Sequence, residues 1–448
     1  MRLIVIFFYF ISNSLLSQNA KENIFGFATS NTFTYCDVND TSFINKVKRL
    51  NPKVLRFPGG AVGNFYHFGK NGYGFDFNEI DTYHSGKFPK RARGLDNSRR
   101  KKQQNYDYIN DFIVLAKATN AKAVLVANMF VNNDDILLMI DKLQANNIKI
   151  VGVELGTELS NRSYYKNGYT IDEYLVSAKS CSKKVKDNYP NIKTAIVAAP
   201  LGTRKGHRHN VWNNKLSKLD FYDAIVIHSY AKVTKGEARY GQMISEQLEG
   251  GNKTEAFEMY KKRAINYLTT DYPKEVQEYV SVFNKPIWVT EWNLQISKTT
   301  GNTLLQSLFV AQYFLELLSN PDLSAIELTT YHNLGGRDYS GSIFRNNKDE
   351  MEIQSTYYPM KMIGKIFEND IVRIEKEKKV ESFIYKCYNK NADEVLEFFV
   401  DWSKKLLLYT SYTDGNPIEK IMYKSSNLFD CADMSGILDL NIFEYCEH

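Results

Sequence analysis

The segment IVGVELGTELS spans residues 150–160 and places two carboxylates in a stretch of otherwise apolar or small residues. A run this apolar and rich in β-branched residues is typical of a strand that is buried on both faces, as in a parallel sheet. Burying a carboxylate is costly unless the group is paired or used chemically. The position of Glu154 inside the strand and of Glu158 at its end therefore predicts two different roles.

Eight runs of this kind occur between residues 24 and 332, and helix-like segments alternate with them. The runs are 24–30, 53–57, 122–129, 150–156, 194–200, 224–230, 286–292 and 325–332. Eight consecutive strand–helix units predict an α/β fold, a (β/α)8 TIM barrel over residues 21–369. A doubly wound sheet is the alternative, but the chain has no Gly-rich dinucleotide-binding fingerprint.

The two ends of the chain have different patterns. Residues 1–17 contain one Arg and the apolar run Leu3–Ile11, which predicts a signal peptide and a secreted protein. An uncleaved buried strand is the alternative, and no stretch is long enough to predict a membrane span.

Residues 370–448 contain successive strand-like segments joined by turns, which predict a small all-β sandwich domain.

The composition is that of a globular protein. Of 448 residues, 43% are hydrophobic and 24% charged, and the formal net charge is +6. This length fits one barrel with one small domain. The five cysteines are too scattered for a disulfide scaffold or a zinc motif. We expect neither a metal nor another cofactor.

Two carboxylates lie at the carboxyl ends of predicted strands that face each other across the barrel. Glu158 leaves the fourth strand, and Glu291 ends the seventh in KPIWVTEWN. The carboxyl ends of the strands form the active face of such barrels. Two carboxyls about 5–5.5 Å apart are what retaining glycoside hydrolysis requires, one as proton donor and one as nucleophile. A pair of surface or ion-paired glutamates is the alternative.

Three short motifs resemble those of known glycosidases. ELGTE at 154–158 resembles the ELGNE element of the heparanase and β-glucuronidase-like glycosidases. RFPGG at 56–60 is similar to an element of the α-L-arabinofuranosidases, and VTEW at 289–292 resembles the nucleophile strand of both groups. Together the motifs resemble glycoside hydrolase clan A, in an order that covers the whole barrel.

This resemblance implies roles for individual residues. Glu158 would be the general acid/base and Glu291 the nucleophile, with Arg56 holding Glu291 ionised through a charge-assisted hydrogen bond. Glu154 lies about 13 Å below Glu158 along the strand, and we interpret it as structural, paired with a cation or hydrogen-bonded. The clan has Asn before the acid/base where this chain has Thr157, so the contact to the sugar 2-hydroxyl is expected to be altered.

Other polar and aromatic residues near the strand ends are candidate substrate-binding or supporting groups. They are His228 and Tyr230 on the sixth strand, Asn128 and Asn333 after the third and eighth strands, and the tryptophans Trp212 and Trp292. Tyr230 is predicted to bond the nucleophile, the asparagines to bind sugar hydroxyls, and the tryptophans to stack on a sugar ring. Core packing is the alternative for His228, for Tyr230 and for both tryptophans.

Basic residues are concentrated in segments that follow strands. KFPKRARGLDNSRRKK (87–102) is predicted as a loop after the second strand, TRKGHRH (203–209) follows the fifth, and Arg337 and Arg345 follow the eighth. A positive cleft concentrates anionic ligands, and Arg suits carboxylate and sulfate. We therefore predict an anionic glycan, uronate-containing or sulfated, as the carbohydrate substrate. A solvated basic loop without a ligand is the alternative.

The predicted function is a secreted retaining glycoside hydrolase acting on a polysaccharide or oligosaccharide. One alternative is a non-catalytic glycan-binding protein on the same barrel, to which Thr157 points. Another is a metal-dependent hydrolase that uses His207 and His209. Nucleic acid would suit the charge, but predicted export and the paired glutamates argue against such a partner.

Overall fold

Eight parallel strands form a closed barrel in chain order, which confirms the predicted TIM barrel. A computed structural model describes residues 22–131, 134–201, 206–234, 252–295, 300–337, 341–347, 350–424 and 442–445, so the predicted signal peptide lies outside the described residues. Phe27 on the first strand pairs with Tyr331 on the last and closes the barrel. The strands are β1 (Gly26–Ala28), β2 (Val54–Phe57), β3 (Lys122–Val126), β4 (Ile150–Leu155), β5 (Lys193–Val197), β6 (Ala224–Ala231), β7 (Ile287–Leu294) and β8 (Ile326–Tyr331).

Helices surround the barrel and follow most of its strands. They are α1 (Thr32–Tyr35), α2 (Thr41–Leu50), α3 (Gly60–Gly63), α4 (Phe77–Tyr83), α5 (Phe88–Lys101), α6 (Ile109–Thr119), α7 (Asp135–Ala145), α8 (Arg162–Tyr165), α9 (Ile171–Asn188), α10 (Gly206–Leu216), α11 (Lys253–Asn266), α12 (Tyr272–Phe283), α13 (Leu304–Ser319) and α14 (Tyr357–Gly364). A π-helical turn, Tyr267–Asp271, joins α11 to α12. In the part of the chain that is described, no helix combines the length and the apolar character needed to cross a bilayer.

Residues Phe88–Lys101 of the segment 87–102 form helix α5, so the prediction of this segment as a loop is wrong. Phe88, Ala92 and Leu95 are buried on one side of this helix, and their spacing of three to four residues is the period of an amphipathic helix. The basic residues between them obscured this pattern. Arg99 and Arg100 both bind Asp96 one turn earlier in the helix, at 2.9 and 2.7 Å.

The barrel interior is packed by apolar side chains from its strands. Val124, Val226 and Leu328 belong to this cluster together with Trp288, which is almost fully buried. The Trp288 ring reaches β4 at Gly152, where a Cβ atom would lie 2.3 Å from Cη2 of the indole. A side chain at position 152 would collide with this ring, so glycine is required there. The indole of Trp288 in turn fills the barrel interior below its mouth.

The C-terminal segment forms a six-stranded antiparallel sheet, which confirms the predicted all-β domain. Its strands are β12 (Ile371–Lys378), β13 (Ser382–Asn389), β14 (Glu394–Asp401), β15 (Leu406–Thr413), β16 (Asn416–Lys424) and β17 (Ile442–Tyr445), after a small sheet of β9 (Gly335–Gly336), β10 (Phe344–Asn347) and β11 (Glu350–Ile353). Helix α13 packs against this sheet, with Tyr385 donating to Glu316 (2.7 Å) and Trp402 to Gln312 (2.6 Å). Within the described residues, a barrel helix and not a second sheet covers the inner face.

Candidate active site

A buried ion pair lies inside the barrel just below its mouth. Arg56 on β2 donates from Nε and Nη2 to the two carboxylate oxygens of Glu154 on β4, at 2.7 and 2.8 Å. Both side chains are fully buried. A bidentate ion pair of this kind compensates both charges and fixes the plane of the guanidinium. The predicted cation partner of Glu154 is therefore present, and it is Arg56.

The same guanidinium reaches Glu291 in the carboxyl-terminal half of β7. Nη1 of Arg56 donates to Oε1 of Glu291 at 2.9 Å. The hydroxyl of Tyr230, on the neighbouring strand β6, donates to Oε2 at 2.7 Å. Both hydrogen bonds predicted for Glu291 are present, and its two carboxylate oxygens each accept one of them. The side chain is only 7% exposed.

The electrostatic surroundings keep Glu291 ionised. Burial alone would raise the pKa of its carboxyl. The positive charges of His228, His332 and Arg56 outweigh burial and lower this pKa well below its ordinary value. The Nδ1 atoms of the two histidines lie 3.6 and 3.5 Å from Oε2 of Glu291. A buried carboxylate that stays charged over the acidic range is suited to act as a nucleophile.

Glu158 has different surroundings from Glu291. It lies in the turn after β4 with a φ of 50°, in the left-handed region that few residues other than glycine adopt. Its side chain is 44% exposed. Nδ1 of His228 lies 3.1 Å from Oε1 of Glu158, and Asn161 donates to Oε2 at 2.8 Å. This carboxyl is open to solvent on one side, so it can exchange protons.

The two carboxyls lie close together across the barrel mouth. One oxygen of Glu158, one oxygen of Glu291 and a ring nitrogen of His228 all lie within 4.8 Å of one another. Retaining glycosidases separate their two carboxyls by about 5–5.5 Å, whereas inverting enzymes need about 6.5–9.5 Å to admit a water molecule. The nearest oxygens of the two carboxyls are therefore closer than the spacing that an inverting enzyme needs.

His228 lies between the two glutamates. Its Nε2 atom lies 3.2 Å from Oγ1 of Thr290 and 3.4 Å from Oγ1 of Thr157. Burial would lower the pKa of His228, but the charges of Glu291 and Glu158 outweigh it and raise the pKa above 6.5. The imidazolium form can donate from Nδ1 towards the carboxylates and from Nε2 to the hydroxyls.

The same three side chains have the spacing of a metal site. Among the described residues, Glu158, His228 and Glu291 form the one cluster with ligand atoms this close. Arg56 already places a positive charge 2.9 Å from Glu291, and a protonated His228 cannot ligate a cation. The electrostatics therefore favour a proton-transfer site over a metal site.

The metal-dependent alternative depended on His207 and His209. His209 is buried within helix α10. The side chain of His207 lies outside the described residues. The cluster at the barrel mouth contains neither of them.

Three predicted sugar-binding residues have protein partners instead. Thr157 is buried, and its hydroxyl accepts from Arg56 at 3.1 Å. Asn128 donates to Glu79 at 2.8 Å. The buried amide of Asn333 donates to Asn31 at 3.0 Å. In each case the polar group predicted to bind sugar is held within the protein.

The two tryptophans are core residues, so their prediction as sugar-stacking walls is wrong. Trp292 is fully buried and stacks on Tyr313 of α13, with ring centroids 4.0 Å apart. It follows Glu291 on β7, and successive strand residues point to opposite faces. Trp212 is buried and stacks on Tyr174 at 5.0 Å. A strand that directs its glutamate into the barrel must direct the next side chain outward.

Sequence reasoning did not assign three residues that help to form the site. His332 directly follows β8 and lies beside Glu291, and its place after a strand was the available signal. Asn64 pairs with the backbone of Thr157, donating to its carbonyl at 2.7 Å and accepting from its N–H at 2.8 Å. Asn161 binds Glu158. The two asparagines lie beyond strand ends, where no pattern indicates which residue a side chain will meet.

The fold and the pair of glutamates at its mouth define a (β/α)8 barrel of the kind found in glycosidases. Solved structures with this fold include a family 51 α-L-arabinofuranosidase from Thermotoga petrophila, at 15% identity over 95% of this chain and 92% of that chain (TM-score 0.53). A family 51 arabinofuranosidase from Xanthomonas axonopodis is similar at 10% identity over 87% and 82% (TM-score 0.53). A family 44 xyloglucanase from Paenibacillus polymyxa is similar at 10% identity over 95% and 94% (TM-score 0.51).

Two further comparisons find no match. No protein-family model matches the chain, and no curated protein matches it either. At 10–15% identity the structural similarity establishes the shared fold. The barrel fold that the three motifs implied by their resemblance is thus confirmed.

Proposed function

We propose that the protein is a retaining glycoside hydrolase. The observation that carries this proposal is the pairing of Glu158 and Glu291, with oxygens within 4.8 Å in unlike surroundings. One carboxyl is buried beside Arg56, His228 and His332, and the other is partly exposed. Two carboxyls with such different environments are the requirement for separate acid and nucleophile roles.

The proposed reaction has two steps. In the first, protonated Glu158 gives its proton to the glycosidic oxygen while Glu291 attacks the anomeric carbon, so the leaving sugar departs and a glycosyl ester forms on Glu291. In the second, ionised Glu158 takes a proton from a water molecule that attacks the same carbon and releases Glu291. His228 lies beside both carboxylates and offsets the charge that each gains.

A nucleophile variant tests the assignment directly. Glu291→Gln keeps the hydrogen-bonding shape and removes the attacking charge, so turnover of activated aryl glycosides should fall by several orders of magnitude. Glu255→Gln is the matched control because this exposed glutamate lies on α11. Turnover by Glu291→Gln at the rate of the control would contradict the proposal. Substrate binding by the unaltered protein without product release would favour the glycan-binding alternative.

The stereochemical outcome tests the mechanism independently. The first product seen by ¹H NMR should have the anomeric configuration of the substrate, because two displacements at one carbon restore it. Glu158→Ala removes the group that activates water, and added azide should restore its turnover and give a glycosyl azide. An inverted first product would exclude the double displacement.

We propose a polysaccharide or oligosaccharide as the substrate. That this glycan is anionic remains a prediction. The basic segment that motivated it has less free charge than expected, because Arg93, Arg99 and Arg100 all bind aspartates. Arg345 binds Glu352 at 3.0 Å. Digestion of uronate-containing, sulfated and neutral glycans, including arabinan and xyloglucan, decides the class. Equal turnover of neutral and acidic glycans would contradict an acidic preference.

We further propose that the protein is exported after cleavage near Ser17. This rests on the sequence pattern of residues 1–17 alone. N-terminal sequencing of protein recovered from the cell exterior should begin near Gln18. Recovery of the full-length chain from the cell interior would contradict the proposal.

A further inference from the structure

A buried side chain continues the contact between β7 and β8 beyond the point where their backbone pairing ends. The last paired residues are Trp292 and Tyr331. At the next position of β7, the amide of Asn293 donates to the carbonyl oxygen of His332 at 3.0 Å and to the hydroxyl of Tyr331 at 2.8 Å. Nδ1 of His332 in turn lies 3.5 Å from Oε2 of Glu291. Asn293 therefore holds the backbone of a histidine that faces the expected nucleophile.

Helix α13 holds the amide of Asn293 in place. Oδ1 of Asn293 accepts from Nε2 of Gln306, in the first turn of α13, at 2.9 Å. Oε1 of Gln306 accepts from the backbone N–H of Asn302 at 2.7 Å, and Oδ1 of Asn293 also accepts from the backbone N–H of Leu294 at 2.7 Å. Because a backbone N–H can only donate, these two contacts fix which end of each amide is the oxygen. Both amides are buried and have one orientation.

The far end of this network lies at the C-terminal domain. Oδ1 of Asn302, in the turn before α13, accepts from the backbone N–H of Ser355 at 2.7 Å. The carbonyl oxygen of Ser355 accepts from the hydroxyl of Tyr423 on β16 at 3.2 Å and from the hydroxyl of Ser307 on α13 at 2.9 Å. Ser355 and Tyr423 are buried. The C-terminal sheet is thus connected to the end of β7 by hydrogen bonds inside the protein.

The hydrogen bonds of this network run in one direction. From the hydroxyl of Tyr423 to the carbonyl of His332, every donor points towards His332. Hydrogen bonds arranged head to tail polarise one another, and the effect is larger in a low-dielectric interior. Removal of one member leaves its neighbours with buried groups that lack a partner. A change at Tyr423 is therefore expected to reach His332.

The position of His332 affects the charge on Glu291. Burial raises the pKa of the Glu291 carboxyl, and the positive charges of His228 and then of His332 are the main groups that lower it. The attraction between two charges weakens as their separation grows. A histidine that is free to move away from Glu291 would stabilise its ionised form less.

We propose that Asn293 and Gln306 are positioning residues that hold His332 beside Glu291, and that Tyr423 makes the C-terminal domain part of this support. The effect on turnover rests on the proposed function, whereas the placement of His332 can be measured without it. The C-terminal domain acts on the catalytic mouth through a barrel helix and the turn before it, at a distance from the substrate.

NMR of the His332 ring tests this placement independently of any activity. Tyr423→Phe removes the hydroxyl at the far end of the network, and Gln306→Met removes the amide at its centre with little change of shape. Both variants should shift the ring resonances of His332, which are assigned by their loss in His332→Gln. Tyr385→Phe is the matched control, because it removes a hydroxyl that joins the same sheet to α13 through Glu316. If Gln306→Met does not fold, Tyr423→Phe alone decides.

Two results of the NMR experiment would overturn the proposal. One is a set of His332 resonances that are unchanged in Tyr423→Phe and in Gln306→Met. The other is an equally large shift in Tyr385→Phe, which would show that any weakening of the contact between the sheet and α13 disturbs the histidine. Both results are informative whether or not the protein hydrolyses glycosides.

Kinetics test the effect on the reaction. In Tyr423→Phe, kcat should fall by about two- to tenfold, as expected for one lost hydrogen bond, while KM stays unchanged. In a His332→Gln background, the same change should have no further effect, because it acts through His332. Tyr385→Phe should retain the kcat of the unaltered protein. A full additional loss in the His332→Gln background would overturn the proposal, whereas absence of turnover in the unaltered protein would instead refute the proposed function.

Discussion

Glu154 binds Arg56 through both of its carboxylate oxygens, at 2.7 and 2.8 Å, where neither side chain is exposed to solvent. This pair fixes the guanidinium so that its remaining nitrogen, Nη1, faces Glu291 at 2.9 Å. Glu154 therefore acts on the expected nucleophile through the arginine. Its burial, which is unusual for a carboxylate, is explained by this positioning.

Replacing Glu154 by Gln should destabilise the protein strongly. The change leaves the buried charge of Arg56 without its main partner, and breaking a buried pair in this way typically costs about 3–5 kcal/mol. Urea unfolding measures the loss. Asp187→Asn is the control, because it breaks the exposed pair with Lys183 and should cost at most about 0.5 kcal/mol. A similar small loss for both variants would show that the buried pair does not anchor the barrel.

Replacing Tyr230 by Phe should slow turnover while leaving the fold intact. It removes the hydroxyl that donates to Oε2 of Glu291 at 2.7 Å. A hydrogen bond to a charged group contributes about 1.5–3 kcal/mol, so kcat/KM should fall by roughly 10- to 150-fold. Tyr412→Phe, on the C-terminal sheet, serves as the control. Unchanged kinetics with unchanged stability would exclude this tyrosine from support of the nucleophile.

Histidine titration by NMR should give clearly different pKa values for His67, His84 and His228. Burial lowers the pKa of His84 to about 4. The contacts of His67 with Asp135 and Glu79 raise its pKa to about 9. His228 should titrate above 6.5 and shift to a lower pKa in Glu291→Gln, because that variant removes the nearby negative charge. A pKa of His228 that is unaffected by the variant would contradict the electrostatic coupling.

The raised pKa of His228 also predicts how stability depends on pH. A histidine with a higher pKa in the folded state binds its proton more tightly there than in the unfolded chain. Its contribution is complete below the unfolded pKa near 6.5 and disappears as the pH rises through the folded value. His228→Gln should therefore reduce stability at pH 5.5 more than at high pH, as measured by urea unfolding. A loss that is equal at both pH values would contradict this linkage.

Replacing Trp292 by Ala should lower stability rather than substrate affinity. The ring is fully buried against Tyr313, and truncation of such a residue costs about 3–5 kcal/mol. Trp292→Phe retains much of the packing, so its KM should match that of the unaltered protein while its unfolding midpoint falls. A raised KM with an unchanged midpoint would instead restore the stacking role.

The sequence alone was sufficient to predict the barrel and to predict that the carboxyls of Glu158 and Glu291 lie near each other. Continuous apolar strands must be covered on both faces. Only a few folds achieve this with strands and helices that alternate along the chain, and the TIM barrel is one of them. The positions of Glu158 and Glu291 at strand ends follow from the same periodicity. The partners of Glu291 could also be anticipated, because Arg56 and Tyr230 lie on strands whose ends meet at one mouth.

Only the tertiary structure decided what the remaining side chains contact. From their positions in the sequence, Trp292 and Asn333 were expected to contact a sugar. In the structure, Trp292 packs on α13 and Asn333 donates to Asn31. Helix α5 was missed because its charged residues hid the apolar spacing. Periodicity determines which face of a strand or helix a residue lies on, because backbone geometry repeats regularly along the chain. The neighbours that fill that face come from distant segments, and their arrangement is determined only when the whole chain packs.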